Sequence, residues 1–199
     1  MEADLVAAEG DSVTFSRNGR TYDYPLANLS EEDRKYIQDW IEEQAKPSVF
    51  VSEFSEQLVR LEGQSFRDFP EEKLKEKRIV AFYYSAGWCG PCRAFTPELI
   101  RSYKSLQANY PHFEIIFISS DQDPKAMADY MKGEKMPFPA VKFDQKNKLP
   151  LVRKHSQRGI PNLVLLDESG EAISTSYVSG KYVGPRKVLQ DIRKYLAEN

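Results

Sequence analysis

The sequence predicts an α/β domain with a mixed sheet flanked by helices, preceded by a small three-stranded β meander and one helix. From residue 79 onward, short apolar runs alternate with stretches of helical periodicity, a pattern typical of a sheet with helices on both faces. Residues 5–24 instead contain three short segments separated by turn residues. We therefore predict two domains, residues 1–46 and residues 47–199.

The predicted N-terminal module begins with strands over residues 5–8, 12–16 and 20–24, and Asn18-Gly19 between the last two is a strong hairpin signal. Ser30 then caps a helix, with Asp33 at the spacing of a capping box. Alternation places four side chains on one face of the meander: Val13, Phe15, Tyr22 and Tyr24. Helical spacing predicts an apolar stripe: Tyr36, Ile37, Trp40 and Ile41.

Residues 25–36 follow the pattern Pro-Leu-x-x-Leu-Ser-x-x-Asp-x-x-Tyr, which resembles the segment after the last strand of small SH3-like β modules. Such modules often bind peptides in aromatic grooves, so the resemblance implies a peptide partner as one interpretation. Burial in a hydrophobic core is the interpretation that we prefer, because large aromatic side chains are usually buried. Both interpretations concern the same side chains: Tyr22, Tyr24, Tyr36 and Trp40.

The larger domain is predicted to alternate strands with helices. Its strands are nearly continuous apolar runs, as in a sheet buried on both faces, and prolines open two of its helices. The charged residues 71–78 are predicted to be a solvated entry to the first strand. Pro97, inside the first helix, predicts a kink. The predicted strands are residues 79–84, 113–118, 162–167 and 172–178, and the predicted helices are residues 89–109, 150–155 and those beginning at Pro124 and Pro185.

The chemistry is concentrated in Cys89 and Cys92, the only two cysteines of the 199 residues, at the predicted start of a helix. Thiols three residues apart on a helix lie on one face and can close a small ring. A helix N-terminus stabilises a thiolate and lowers its pKa from about 8.5 to roughly 3.5–7.5. We predict that Cys89 is the nucleophile and that Cys92, one turn further in, is the resolving thiol.

Two other interpretations of the cysteine pair are weaker. A zinc site would need a second pair of ligands, but His112 and His155 are isolated in the sequence. A purely structural disulfide would close a loop too short to remove much entropy from the unfolded chain. We therefore expect no metal and no cofactor beyond the redox-active pair itself.

The motif Trp88-Cys89-Gly90-Pro91-Cys92, the helix proline Pro97, and Gly159-Ile160-Pro161 before a strand together resemble the thioredoxin superfamily over most of residues 50–199. The resemblance implies a thioredoxin fold in which Pro161 is a cis-proline that faces the cysteine pair. It also implies a substrate groove around the cysteines, lined by Trp88, Gly90, Pro91, Ile160 and Pro161.

Three segments narrow the resemblance to the tryparedoxin and nucleoredoxin branch: Phe-Tyr-Tyr-Ser-Ala at 82–86, Arg-Ala-Phe-Thr-Pro at 93–97 and Met-Pro-Phe-Pro at 136–139. The chain departs from tryparedoxins at Gly90-Pro91, where they usually carry Pro-Pro. Neither the substrate nor the reduction potential is therefore carried over from either group.

The residue that deprotonates Cys92 is not assigned. Tyr83 occupies the position where thioredoxins carry a buried aspartate, and a phenol with a pKa near 10 is a poor base at neutral pH. Asp121 could reach the site, but capping a loop is its more usual role. His155 is predicted to be a half-exposed residue at a helix end, and Arg93 a solvated one.

The resemblance implies a thiol–disulfide oxidoreductase, and we expect it to reduce protein disulfides. Its partners would be disulfide-bearing client proteins and a separate electron donor. Two alternatives stay open. The protein could oxidise or isomerise client thiols, or it could be a redox-gated binding module in which the pair acts only as a switch.

Composition limits the partners further. The formal charge is −2, from 28 basic and 30 acidic residues, which favours neither nucleic acid nor an anionic membrane. No apolar run is long enough to span a bilayer, so we expect no membrane insertion. The lack of other cysteines suits a cytoplasmic protein or a periplasmic one. The β-module likeness favours an exported bacterial protein from which the signal peptide has been removed.

Overall fold

The computed structural model describes residues 4–17, 20–45 and 48–198, and the chain divides into two compact units, Met1–Pro47 and Ser48–Asn199. None of the helices in these described ranges is long and apolar enough to cross a membrane. Two parts of the predicted N-terminal region, the Asn18-Gly19 turn and the Lys46-Pro47 boundary, lie outside the described residues.

The first unit is an antiparallel sheet in the order β1-β2-β3, followed by a short 3-10 helix and α1. Val13 pairs with Tyr24 and Phe15 with Tyr22, so the predicted shared face is observed. Ser30 caps α1 as predicted. Its hydroxyl accepts a hydrogen bond from the amide of Asp33 at 3.1 Å. The elements are β1 Asp4–Glu9, β2 Ser12–Arg17, β3 Arg20–Pro25, the 3-10 helix Leu26–Asn28 and α1 Glu31–Ala45.

The preferred interpretation of the N-terminal aromatic residues as core is wrong for three of the four. Tyr22, Tyr24 and Tyr36 are exposed, with 54%, 45% and 65% of their surface accessible, and Trp40 is half-buried. Ile37 is buried and occupies the position in the helix that the stripe predicts. A unit of this size has too little interior to enclose four large rings.

The second unit contains a seven-stranded mixed sheet in the order β10-β9-β6-β7-β8-β4-β5, with a separate two-stranded hairpin, β11–β12. The central strand β6 runs parallel to β7 on one side and antiparallel to β9 on the other. The strands are β4 Leu58–Glu62, β5 Ser65–Asp68, β6 Ile79–Ser85, β7 Phe113–Ser119, β8 Ala140–Val141, β9 Asn162–Leu166, β10 Ala172–Thr175, β11 Tyr177–Val178 and β12 Lys181–Tyr182. The helices are α2 Val49–Phe54, α3 Glu71–Lys75, α4 Gly90–Asn109, α5 Pro124–Glu134, α6 Pro150–Lys154 and α7 Pro185–Glu198.

Helices cover both faces of this sheet, so the predicted fold class is confirmed. Alternate residues of β6 point to opposite sides. Tyr83 belongs to a hydrophobic cluster with residues of α4, α5 and α7, whereas Phe82 belongs to a second cluster with residues of α2, α3 and α6. The fully buried β6 and β7 account for the continuous apolar runs in the sequence.

Two predicted segments differ in the structure. Residues 71–78 are not simply a solvated entry, since α3 lies within them and Lys77 is 5% exposed, with its ammonium donating to the carbonyl of Pro111 at 2.6 Å. The predicted strand over residues 172–178 ends at Thr175. The buried Ser176 interrupts it, and Tyr177–Val178 pairs with Lys181–Tyr182 instead.

Candidate active site

The two cysteines lie where the central strand passes into a helix. Cys89 is the N-cap of α4, Cys92 is in its first turn, and a disulfide joins them with 5.2 Å between their Cα atoms. Cys92 is fully buried, and Cys89 is 5% exposed. The pair therefore closes within one turn of helix, and Cys89 is the more exposed of the two residues.

The start of α4 presents a hydrogen-bond donor to the outer sulfur. The amide of Cys92 lies 3.2 Å from Sγ of Cys89, so Cys89 caps its own helix. A negative charge on that sulfur would face both this N–H and the positive end of the helix dipole. This geometry suits Cys89 as the nucleophile and Cys92 as the resolving thiol, roles that stay predictions.

A second loop meets the pair from the side of β9. The Ile160–Pro161 peptide bond is cis, as the resemblance implies, and the carbonyl oxygen of Ile160 lies 3.8 Å from Sγ of Cys89. Ile160 is half-buried and packs against the small cluster of Ala86, Cys89 and Cys92. The structure thus brings Cys89, Cys92, Ile160 and Pro161 together from segments about seventy residues apart.

The other predicted groove residues lie in the motif itself. Trp88 is 62% exposed, and its indole N–H donates to the carbonyl of Ser120 at 3.3 Å, beside β7. Gly90 and Pro91 are exposed at the start of α4. That these three residues and Ile160 form a substrate groove stays a prediction.

Asp121 supports the loop that carries the motif. Its carboxylate accepts hydrogen bonds from the amide of Gly87 at 2.8 Å and the hydroxyl of Ser119 at 2.7 Å, so the interpretation of Asp121 as a loop cap is confirmed. Lys146 donates to the backbone carbonyls of Ser119 and Asp121 at the end of β7, and its burial lowers the pKa of its ammonium group.

A cluster of hydroxyl groups beneath Cys92 was not predicted from the sequence. Thr96 donates to the carbonyl of Cys92 at 2.9 Å, and its oxygen lies 2.8 Å from the hydroxyl of Tyr83 and 2.6 Å from that of Tyr130. Ser85 reaches Tyr130 at 3.1 Å. Burial raises the pKa of Tyr83, so this phenol stays protonated and neutral. The sequence hinted at this cluster only through two polar residues next to buried apolar ones, Ser85 at the end of β6 and Thr96 in α4.

His155 lies against Phe82 of β6, and Arg93 is on the surface of α4. His155 is 8% exposed rather than half-exposed as predicted, because its ring packs against Phe82 and its Nε2 lies 2.9 Å from the carbonyl of Gly170. Burial lowers the pKa of this imidazole. Arg93 is exposed on α4, as expected. Across residues 4–17, 20–45 and 48–198, no three His, Cys, Asp or Glu side chains group as metal ligands would.

Comparison with known proteins places this geometry in a family. The family model described as thioredoxin-like matches residues 77–172, which contain the motif and the cis-proline loop. Among curated proteins, a probable nucleoredoxin 1 of Arabidopsis thaliana is 39% identical over 122 residues, 61% of this chain. The match covers 20% of the plant protein, so the chain spans only a small part of that relative.

Among solved structures, the matches cover most of the length of the similar protein. A thioredoxin of Wuchereria bancrofti has a TM-score of 0.53 and 31% identity, over 72% of this chain and 95% of the other. Tryparedoxin I of Leishmania major also has a TM-score of 0.53, with 30% identity over 71% of this chain and 91% of the other. The similarity therefore extends well beyond the cysteine motif.

Proposed function

We propose that this chain, which belongs to the tryparedoxin- and nucleoredoxin-like branch of the thioredoxin superfamily, reduces the disulfide bonds of client proteins. The superfamily is one of thiol–disulfide oxidoreductases. The observation that carries the proposal is the position of the Cys89 sulfur, which lies 3.2 Å from the Cys92 amide nitrogen and 3.8 Å from the Ile160 carbonyl oxygen.

The proposed cycle begins with the reduced pair. The Cys89 thiolate attacks one sulfur of a client disulfide, a mixed disulfide forms, and the other client sulfur leaves as a thiolate that takes up a proton. Cys92 then loses its proton and attacks the Cys89 sulfur, which releases the second client thiol. Two electrons have passed to the client, and the pair is left as the Cys89–Cys92 disulfide. A separate electron donor returns two electrons and two protons.

The burial of the two sulfurs supports this division of roles. Cys92 is fully buried, so a client disulfide meets the sulfur of Cys89 first. The Cys92 amide would stabilise the attacking thiolate, and the pair lies close enough for the second thiol to resolve the mixed disulfide rapidly. We propose that Trp88, Gly90, Pro91, Ile160 and Pro161 form the groove that receives extended client backbone.

Turnover by cysteine variants tests the cycle. In an insulin-reduction assay with dithiothreitol as electron donor, we expect Cys89→Ser to abolish catalysis. Reduced Cys92→Ser, mixed with insulin after the dithiothreitol has been removed, should accumulate a mixed disulfide that mass spectrometry detects. Ala94→Ser, an exposed position on the same helix, is the matched control and should behave as wild type. Turnover by Cys89→Ser equal to that of wild type would contradict the proposal.

The reduction potential tests the direction of the reaction. Equilibration in glutathione or dithiothreitol buffers, followed by Trp88 fluorescence, should give a value near the figure of about −270 mV known for thioredoxin. A value near the figure of about −120 mV for a strong oxidant would favour client oxidation instead.

A further inference from the structure

The two residues that precede Cys89 are held by the segment that follows β7. The amide of Gly87 donates to the carboxylate of Asp121 at 2.8 Å. The indole N–H of Trp88 donates to the backbone carbonyl of Ser120 at 3.3 Å. The position of the chain as it enters the cysteine motif therefore depends on where residues 120 and 121 lie.

Lys146 holds the backbone of that segment from a different part of the chain. Its ammonium group donates to the carbonyl of Ser119 at 2.8 Å and to the carbonyl of Asp121 at 3.3 Å. The peptide unit between them carries the Ser120 carbonyl, which accepts from Trp88. Because each peptide unit is planar, fixing the units on both sides leaves the middle one little freedom to rotate. The contact of Lys146 thus directs the acceptor that Trp88 uses.

The loop between β8 and α6 gives Lys146 a fixed position. The amide of Gln145 donates to the carbonyl of Lys142 at 2.9 Å, and the amide of Lys148 donates to the carbonyl of Gln145 at 2.8 Å, so the loop consists of two successive turns. The ammonium group of Lys146 also lies 3.8 Å from the centre of the Phe143 ring, a cation–π contact. This half-buried side chain is therefore held by its own loop as well as by the carbonyls.

The sulfur of Cys89 depends on the position of the residues before it. Its Sγ lies 3.2 Å from the amide nitrogen of Cys92, the donor that would stabilise a thiolate. Hydrogen bonds weaken steeply when they are misaligned, and a small displacement of a reacting group lowers a rate substantially. Because Trp88 directly precedes Cys89, a shift of Trp88 would move the sulfur relative to this donor.

We propose that Lys146 is a positioning residue for the reaction of Cys89. Its ammonium group holds the backbone of residues 119–121. That segment holds Gly87 and Trp88, and so keeps the Cys89 sulfur against its amide donor. The proposal rests on Cys89 as the attacking thiolate of the function proposed above, and it deepens that function by adding a residue that acts through the backbone rather than on the sulfur.

The test measures the reactivity of one thiol without a client protein. In the Cys92→Ser background Cys89 is the only cysteine, and its thiolate displaces iodide from iodoacetamide at a rate that mass spectrometry follows. Lys146→Met keeps the length of the side chain but removes the ammonium group. We expect it to lower this rate constant at pH 7 about fivefold, because the sulfur is no longer held against its donor.

A second readout reports on the link through Trp88. The NMR signal of its indole proton is identified by comparison with Trp40→Phe, since the chain has two tryptophans. In Lys146→Met this signal should move upfield, because the hydrogen bond to the Ser120 carbonyl lengthens. A residue that only stabilises the fold would move neither this signal nor the rate constant of the folded protein.

Lys148→Met is the matched control, because it removes the same charge from an exposed position in the same loop. Both readouts should equal those of the Cys92→Ser parent. Lys146→Arg keeps a cation with several N–H donors and should restore the rate constant to within about twofold of the parent. Urea denaturation of each variant reports its stability separately.

Four results would overturn the proposal: an unchanged rate constant in Lys146→Met, an equal fall in Lys148→Met, no recovery in Lys146→Arg, or a fall in rate with an unmoved indole signal. If Lys146→Met does not fold, Lys146→Gln, which is shorter and neutral, takes its place with the same expected direction. Failure of the wild-type protein to reduce insulin would instead overturn the proposed function, whereas the alkylation test needs no client.

Discussion

The reactivity of Cys89 depends on atoms from two distant segments. Its sulfur faces the amide of Cys92 in its own helix and the carbonyl of Ile160 from the loop before β9. The donor would stabilise a thiolate, whereas the carbonyl comes from a residue 71 positions away along the chain. The residue type alone specifies neither contact.

The hydroxyl cluster beneath Cys92 is predicted to stabilise the fold. Thr96→Val keeps the shape of the side chain but leaves the hydroxyls of Tyr83 and Tyr130 without their shared partner, and we expect a loss of about 1–3 kcal/mol in the free energy of unfolding. Urea denaturation measures this loss. Thr21→Val, on an exposed strand position, is the control and should change stability by less than about 0.5 kcal/mol. Equal stability of Thr96→Val and wild type would show that the cluster contributes nothing.

The buried carboxyl group of Glu114 is predicted to make the free energy of unfolding depend on pH. Glu114 is 2% exposed, and burial raises the pKa of its carboxyl group despite hydrogen bonds from Tyr103 and Gln107 and the ammonium of Lys77 at 3.7 Å. Since the folded protein holds this proton more tightly than the unfolded chain, the contribution is fully present below the unfolded pKa of about 4.3 and is lost as pH rises through the folded pKa.

Urea unfolding between pH 4 and pH 8 tests this prediction. Compared with Glu114→Gln, the wild-type protein should lose stability more steeply as pH rises above about 4.3. Glu134→Gln, at a half-buried helix end, is the control and should follow the wild-type profile. Parallel profiles for wild type and Glu114→Gln would contradict the assignment.

Among the strands and helices, those with the strongest hydrophobic pattern in the sequence were the ones that could be predicted. β6, β7, β9 and α4 are long or continuously apolar, and all four were predicted with bounds close to those observed. The hairpin β4–β5 was missed, because it lies at the sheet edge and its residues are mostly half-buried or exposed. α2 and α3 were missed as well, since each spans fewer than two turns and carries little periodicity.

The contact between the hairpin β11–β12 and the cis-proline loop predicts a rescue. Gly159→Ala would place a Cβ against the hydroxyl of Tyr177, and we expect a loss of about 1–3 kcal/mol in stability. Adding Tyr177→Phe removes the hydroxyl, so the double variant should recover most of that loss. Thermal unfolding of the four proteins in the cycle measures the coupling. Additive losses would mean that the two residues do not meet.

At the scale of the whole molecule, all atoms of the candidate site belong to the second unit. The cysteine pair, the cis-proline loop and the hydroxyl cluster lie between residues 83 and 161, and both large hydrophobic clusters lie within residues 50–196. The first unit has its own sheet and capped helix, with three exposed tyrosines. The residues of the candidate active site and the exposed tyrosines Tyr22, Tyr24 and Tyr36 therefore belong to different units.

A chain consisting of residues 48–199 is therefore predicted to keep the reaction. We expect its rate constant with hydroxyethyl disulfide to lie within about twofold of that of the full chain, because no group of the site is removed. Circular dichroism of the shortened chain reports whether it is folded. A folded fragment with a much lower rate constant would assign a catalytic contribution to residues 1–47.

The sequence by itself determined the fold class, the order of the main strands and helices, and the cysteine motif at a helix N-terminus, because each of these depends on residues close together along the chain. Burial in the N-terminal unit, the hydroxyl cluster around Thr96, and the contacts of Tyr177 and Tyr182 with the cis-proline loop were decided only by the tertiary structure. Each of these depends on side chains brought together from separate elements. Whether these side chains come into contact depends on the order of the strands in the sheet and on how the helices pack against it. No local pattern along the chain indicates either of these.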